Sequence, residues 1–481
     1  MTHSILYPTI IQGGMGAAVS GWPLASAVSK LGQLGVVSGT ALDAVLARRL
    51  QCGDLEGHLR RAIAAFPFVD IARQVLADFF IPGGKRPEDP FRNMPSPTAD
   101  PSPKYLGLNV LAGFVEVFLA KEGHRGIVGI NLLEKIQLPT LPALFGAMLA
   151  GVDYVLMGAG IPRSIPGILD GLARKESVSL KLDVDGAARE EEFLVTFSPA
   201  EFCQGSVPAL KRPLFLPIVS SATLAMTLAR KSNGAVDGFI VEGAIAGGHN
   251  APPRGPMHLS AQGEPIYGER DIPEIEKIKA IGLPFWMAGG FSTPEKLAEA
   301  LSLGAAGVQI GTAFAFCEES GIQQDIKREV IRRSQDGTLH VFTDPLASPT
   351  GFPFKVLQID HSLSDASTYE ARHRICDLCY LRQIYRKTDG TLGYRCPAEA
   401  STSYIRKGGA EESTVGRVCV CNGLMATVGL GQVRSSVQEP PLITAGDDVL
   451  NLNRFLRSGQ SSYSAADVIE FLLPEPEPAF A

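Results

Sequence analysis

"LPFWMAGGFSTPEKLAEALSLGAAGVQIGTAF", residues 283–314, reads as a strand, a helix and a second strand in one unbroken unit. "LPFWMAGG" and "AGVQIGTAF" are apolar throughout rather than alternating, which is the pattern of strands buried on both faces. Between them "STPEKLAEALSLG" (292–304) has helical spacing, with Ser292 or Thr293 as N-cap, Pro294 in the first turn and Gly304 to close it. A strand that passes through a helix into a second buried strand predicts parallel pairing.

The same rhythm runs back to the start of the chain. Further apolar runs are "PTIIQGGMG" (8–16), "LGVVSGT" (34–40), "YLGLNVL" (105–111), "DYVLMGAG" (153–160), "LFLPIVSS" (214–221) and "VDGFIVEG" (236–243). With the two in 283–314 they make eight, and Gly, Ser or Thr recurs where the strands end. The expected fold is therefore α/β, a (β/α)8 TIM barrel, with a doubly wound open sheet as the competing arrangement. Two inserts interrupt it: 81–104, whose seven prolines predict an ordered lid or a disordered loop, and a stretch around 186–212 with the acidic "REEEF". Residues 1–335 are expected to form the barrel and 336–481 a cysteine-bearing C-terminal extension, whose tail "PEPEPAFA" reads as disordered.

Apolar residues make up 45% of the 481 and charged residues 20%, the balance of a soluble globular chain. The net charge of −6 leaves no basic face to neutralise phosphates, which argues against nucleic acid as a partner. "MTHSILYPTIIQGGMG" has neither the basic region nor the long apolar region of a signal peptide. The longest apolar segment, 138–162, is broken by prolines, glycines and Asp153, so it reads as a helix followed by a buried strand and not as a membrane span. Five of eight cysteines fall after residue 375, which disfavours a disulfide framework spread over the chain; a cytoplasmic protein is expected.

In a barrel, the loops after the seventh and eighth strands commonly form a phosphate site from backbone N–H groups and a helix N-terminus. Here those loops are "AGGFST" (288–293) and "QIGT" (309–312). Gly289 and Gly290 allow close backbone approach, and Gly311 with the Thr312 hydroxyl supplies the opposite wall.

Taken together, "PTIIQGGMG", "GAGIP" (158–162), "EGAIAGGH", "MAGG" and "QIGTAF" resemble the nitronate monooxygenase (2-nitropropane dioxygenase) family of FMN barrels over roughly residues 5–335. Related flavin enzymes include FMN-dependent enoyl-acyl-carrier-protein reductases and trans-acting enoyl reductases of polyketide and fatty acid synthases. The resemblance implies FMN as cofactor, with Gly14, Met15 and Gly16 against the ring, where "GGM" departs from the family's usual Ala-Pro-Met. It implies Asn109 as an amide partner of the ring, Gln309, Gly311 and Thr312 at the last-strand site, and Gly289 with Gly290 at the phosphate.

His249 follows Gly247 and Gly248 just past the sixth run, so it is expected at the mouth of the barrel, where the glycines keep the space over the ring free of side chains. Imidazole titrates near neutrality, which suits taking a proton from an acidic carbon or holding a developing anion. The family resemblance assigns this histidine as base. A nitronate oxygenase would then act on a nitroalkane or nitronate with O2. An enoyl or quinone reductase would use NAD(P)H, with acyl carrier protein as a carrier of substrate. A third reading, from another class, is a phosphate-binding scaffold barrel with a structural zinc module. Arg254 is read as a solvated or anion-binding charge, and Glu242 as a buried partner or helix-cap acceptor.

In the extension, Cys376, Cys379, Cys396, Cys419 and Cys421 give C-x2-C, a lone cysteine and C-x-C, a set that suits zinc or reduced packing thiols. "GLMATVGLGQVR" and "SSYSAADVIEFLL" (461–473), with Ser464 as N-cap, read as elements that dock the extension over the site or make a subunit contact, as in a homodimer.

Overall fold

The computed structural model describes residues 7–474; the tail read as disordered lies almost wholly outside them. Eight parallel strands form one sheet: β1 (Ile10–Gln12), β2 (Gly35–Ser38), β3 (Val128–Leu133), β4 (Tyr154–Gly158), β5 (Leu214–Val219), β6 (Phe239–Glu242), β7 (Phe285–Ala288) and β8 (Gly307–Ile310). Their order is β1-β8-β7-β6-β5-β4-β3-β2. The two ends meet where Ile11 bridges Leu34 in parallel, Gln12 N–H donating to Leu34 O at 2.9 Å and Leu34 N–H to Ile10 O at 3.1 Å. This is the TIM barrel. Its interior is packed with Ile11, Leu34, Val36, Leu156, Leu216, Ile240 and Trp286, each almost wholly buried. The Trp286 indole donates to Pro8 O at 2.7 Å.

The unit at 283–314 has the expected caps. The helix Pro294–Ser302 starts at Thr293, whose hydroxyl accepts from Lys296 N–H, and Gly304 closes it at φ +89°.

One strand was misplaced. Residues 105–111 lie inside a helix, Pro103–Lys121, capped by Ser102 and buried on nearly every face. A helix apolar all round and a strand buried on both sides present the same unbroken apolar run, and the run alone does not separate them. Its partner is the helix Thr140–Leu149, and glycines set the approach: a Cβ on Gly146 would lie 2.0 Å from Val110 O, and one on Gly113 2.6 Å from Ala143 O. The third strand is Val128–Leu133. Pro103–Lys121 is also long and apolar enough to cross a membrane, but 78% of its apolar window is buried inside the protein.

The segment 81–102 is irregular and is pinned to the far end of the chain. Phe91 exchanges backbone hydrogen bonds with the Gln432 side chain, and Ala99 N–H donates to the Tyr394 hydroxyl at 2.8 Å. After β4, Val178–Lys181 and Leu194–Phe197 form an antiparallel hairpin. Val184–Asp185 then joins Gln383–Arg386 and Leu392–Arg395 in a three-stranded sheet, so chain from the fifth repeat and from beyond residue 336 share backbone pairing. Further on, Val341–Asp344 and Phe354–Leu357 pair antiparallel, and Phe354 reaches the pocket at the barrel mouth. Helix Ala465–Leu472, with Ser464 and Asp467 capping its start reciprocally, closes the described chain.

Candidate active site

The C-terminal ends of the strands converge on one pocket. Its floor is glycine-rich: Gly13, Gly14, Met15 and Gly16 after β1, Gly289 and Gly290 after β7, and Gly311 and Thr312 after β8. Gly289 and Gly290 adopt φ +85° and +77°, the left-handed region that favours glycine. Their amides find no acceptor among the described residues, so they are free to serve an anion. Gly311 is the N-cap of the turn Thr312–Ala315. The two rims thus lie on the same pocket, as expected. So do Gly247, Gly248, His249 and Gln309.

Asn109 does not. It sits within the helix Pro103–Lys121, 1% exposed, with its amide donating to Tyr105 O (3.1 Å) and Asp43 Oδ2 (3.4 Å). The pocket asparagine is Asn131 on β3, whose Nδ2 donates to Gly14 O at 3.1 Å. A single polar residue in the apolar run "IVGINLL" (127–133) was the available signal.

The roof comes from residues past 336; of the two stretches read as docking over the site or at a subunit contact, 423–434 supplies Leu424 and 461–473 supplies no lining residue, while the other roof residues were not anticipated. Phe354, Tyr380, Leu381, Val420, Cys421, Leu424 and Thr444–Gly446 all line the pocket. The roof is tied to the histidine loop by backbone: His249 bridges Phe354, Lys355 N–H donates to Gly248 O (3.0 Å) and Asn250 N–H to Pro353 O (2.9 Å). Gly248 N–H donates to Thr444 Oγ1 at 3.0 Å, and Gly446 N–H donates to Thr312 Oγ1 at 2.9 Å. A Cβ on Gly247 would lie 2.7 Å from Gly446 N, so this glycine is needed for close passage of two backbones.

The His249 ring tilts against Phe354 with centroids 4.7 Å apart, and its Nε2 is 2.6 Å from Ser348 Oγ. Burial lowers its pKa to about 4, so the imidazole is neutral at neutral pH. Glu242, at the end of β6, lines the same pocket and has neither a charged partner nor a capping role among the described residues; burial alone pushes its carboxyl up to about 8. It is a protonated acid at neutral pH. Arg254 lies outside the pocket, donating to Ser220 O and, through its backbone, to Asp271.

Do these residues fit a flavin nucleotide? Asn131 Oδ1 and Gln309 Oε1 are buried without a partner, and both residues line the pocket. Unpartnered buried acceptors are rare and point to a ligand that donates, as a flavin ring N–H does. The free amides of Gly289 and Gly290 suit its phosphate. Asp448 also lines the pocket, but its carboxylate is engaged by Ser292 Oγ (2.7 Å) and Arg454 (3.3 Å). The residues fit.

Among the described residues no group of three or more His, Cys, Asp or Glu is arranged to hold a metal ion, so the zinc reading of the five late cysteines gains no support. Cys376 and Cys379 lie with sulfurs 4.0 Å apart, and burial pushes Cys396 up to about 12 and raises Cys419 and Cys421. Cys421 instead lines the pocket.

A closed parallel barrel whose strand ends carry a glycine floor and one neutral imidazole defines a small-molecule barrel site. Residues 169–346 match the family model described as nitronate monooxygenase. With the relatives below, this match supports the nitronate monooxygenase family of TIM barrels. A probable nitronate monooxygenase of Staphylococcus haemolyticus is 31% identical over 26% of this chain and 34% of its own length. One from Bacillus subtilis is 32% identical over 28% and 37%. The (3aS,4S,5R,7aS)-5-hydroxy-7a-methyl-1-oxo-octahydro-1H-indene-4-carboxyl-CoA dehydrogenase of Rhodococcus jostii is 31% identical over 30% and 35%. The matched segments thus span only about a third of these curated relatives. Among solved structures, FabK from Thermotoga maritima aligns over 98% of this chain and 92% of its own at 16% identity and a TM-score of 0.47. Nitroalkane oxidase from Streptomyces ansochromogenes aligns over 97% and 95% at 15% and 0.44.

Proposed function

We propose that the chain is an FMN-dependent oxidoreductase, nitronate monooxygenase-like, that oxidises alkyl nitronates or nitroalkanes with O2 and uses His249 as base. The observation that carries this reading is a neutral imidazole fixed in the glycine-floored pocket, with its Nε2 held by Ser348. Gly289, Gly290, Gly311 and Thr312 would hold the phosphate; Gly14, Met15, Gly16, Asn131 and Gln309 would hold the ring. Bound FMN supplies two-electron redox chemistry with substrate and with O2. His249 takes the proton from an acidic carbon, or faces an anion already formed. Glu242, protonated, is a hydrogen-bond donor on the same wall. The roof of Phe354, Tyr380, Leu381 and Leu424 excludes water, which strengthens each of these polar contacts.

The test is anaerobic mixing of the FMN-loaded protein with candidate donors. Bleaching by a nitroalkane or nitronate supports the reading. Bleaching only by NAD(P)H supports the second reading, an NAD(P)H-dependent enoyl reductase acting on a carrier-bound or coenzyme-bound thioester. That alternative is favoured by the relative whose name gives a carboxyl-CoA substrate. A preparation that binds no flavin would leave the scaffold reading.

A further inference from the structure

The His249 ring does not end at Ser348. Ser348 Oγ lies 2.8 Å from Thr350 Oγ1, and Ser348 is fully buried. Thr350 lines a second cavity together with Lys135, Gln137, Asp183 and Arg382, and Tyr380 and Leu381 line both cavities. His249 thus lines the first pocket, Thr350 lines the second cavity, and Ser348 Oγ is within hydrogen-bond distance of both.

The chain is held rigidly. The Ser348 oxygen accepts from Thr350 N–H at 3.2 Å, and Thr350 Oγ1 accepts from Phe352 N–H at 3.3 Å. Arg417 donates to Leu346 O (2.6 Å) and Ser348 O (2.5 Å), and Asp344 Oδ1 accepts from Leu346 and Ala347 N–H. Because Ser348 Oγ lies between the imidazole and Thr350, a proton leaving Nε2–H has an acceptor whose own proton can move on. The ionisable groups sharing the first pocket are Glu242, Asp448, Tyr380 and Cys421, and none of them hydrogen-bonds the ring among the described residues.

We propose that Ser348 and Thr350 form a hydroxyl relay that fixes His249 as the Nε2–H tautomer and carries its proton to the second cavity. The inference rests on His249 being the base. In the step, the C–H electron pair stays on the substrate carbon and the proton passes to the ring's other nitrogen. The Nε2 proton moves to Ser348 Oγ, the Ser348 proton to Thr350 Oγ1, and the Thr350 proton to water in the second cavity. No electron moves along the chain and all three groups stay neutral, but the ring is left as the Nδ1–H tautomer; the same shifts in reverse, with Nδ1 giving its proton to product or water in the first pocket, restore Nε2–H. Ser348 and Thr350 are positioning residues; they touch no substrate.

Two measurements test this. In protein labelled with 15N-histidine, the His249 resonances should report the Nε2–H tautomer in the wild type. They should shift toward the other tautomer in Ser348→Ala and return in Ser348→Thr. In FMN-loaded enzyme, Thr350→Val, which keeps the shape and removes the hydroxyl, should slow turnover of a neutral primary nitroalkane about tenfold and change its solvent isotope effect, within the range of acid–base effects. Turnover of the preformed nitronate should be unaffected. An unchanged tautomer in Ser348→Ala, or unchanged nitroalkane turnover in Thr350→Val while His249→Asn is slow, overturns the relay alone. Full nitroalkane turnover in His249→Asn overturns the reading of His249 as base and the relay with it.

Discussion

Replacing Gly247 by alanine should separate roof from floor. Its Cβ would stand 2.7 Å from Gly446 N and 2.9 Å from Ala445 C, both backbone atoms that cannot rotate away. Residues 444–446 must then retreat, and they are the segment that accepts from Gly248 N–H through Thr444 and donates to Thr312 through Gly446. Overpacking costs about 1–3 kcal/mol. Weakening two hydrogen bonds adds roughly 0.5–1.5 kcal/mol each. We expect a loss of about 2–6 kcal/mol in denaturant unfolding. FMN affinity, read by flavin fluorescence titration, should fall about tenfold for every 1.4 kcal/mol that the retreat takes from the bound state. Gly243→Ala is the control: it lies on the same loop, but its Cβ meets nothing nearer than Ala288 O at 3.7 Å. If the two variants unfold and bind FMN alike, the roof does not depend on this contact and the reasoning fails.

Other outcomes follow from the same geometry. Because burial brings His249 to about 4, the acid limb of kcat/KM for a carbon acid should fall near pH 4 and not near the ordinary imidazole value; a limb near 6.5 would show the ring to be solvated when it works. Glu242 is raised to about 8 in the fold against 4.5 for the free carboxyl, so the folded state holds a proton that the unfolded chain has released. Its contribution to stability should therefore fall as pH rises from 4.5 towards 8, and Glu242→Gln should remove that share of the slope, read as the difference from wild type in denaturant melts at pH 4, 6 and 8. Thr312→Val should leave Gly446 N–H without its acceptor and lower stability by about 1–3 kcal/mol, measured the same way.

The barrel was legible because parallel strands buried on both faces leave short apolar runs, and glycines mark their C-terminal ends. The rims at 288–293 and 309–312 and the histidine at 249 could be placed on one face from that order alone. The helix at 103–121 could not be told from a strand, because its neighbours cover it on every side and its glycines serve helix–helix contact. Asn109 was lost with it, and Asn131 took the position at the pocket. Apart from Leu424, in a stretch read as docking over the site or at a subunit contact, the roof was illegible for a different reason. Phe354, Tyr380 and Thr444 reach the pocket through pairings between residues about a hundred or more positions apart, such as His249 with Phe354, and no local period encodes such a pairing. Ser348 was silent in the sequence for the same reason. The cysteine spacing suggested ligands, yet a spacing does not fix where sulfurs point.

The most direct test of the flavin-binding floor is a titration of FMN against Gly311→Val. A Cβ at this position meets nothing nearer than Met15 Sδ at 3.7 Å, so the side chain enters the pocket without disturbing the fold. We expect unchanged unfolding and an FMN dissociation constant weaker by about 100-fold, roughly 2.7 kcal/mol. A variant that folds normally and binds FMN as tightly as the wild type would contradict the account.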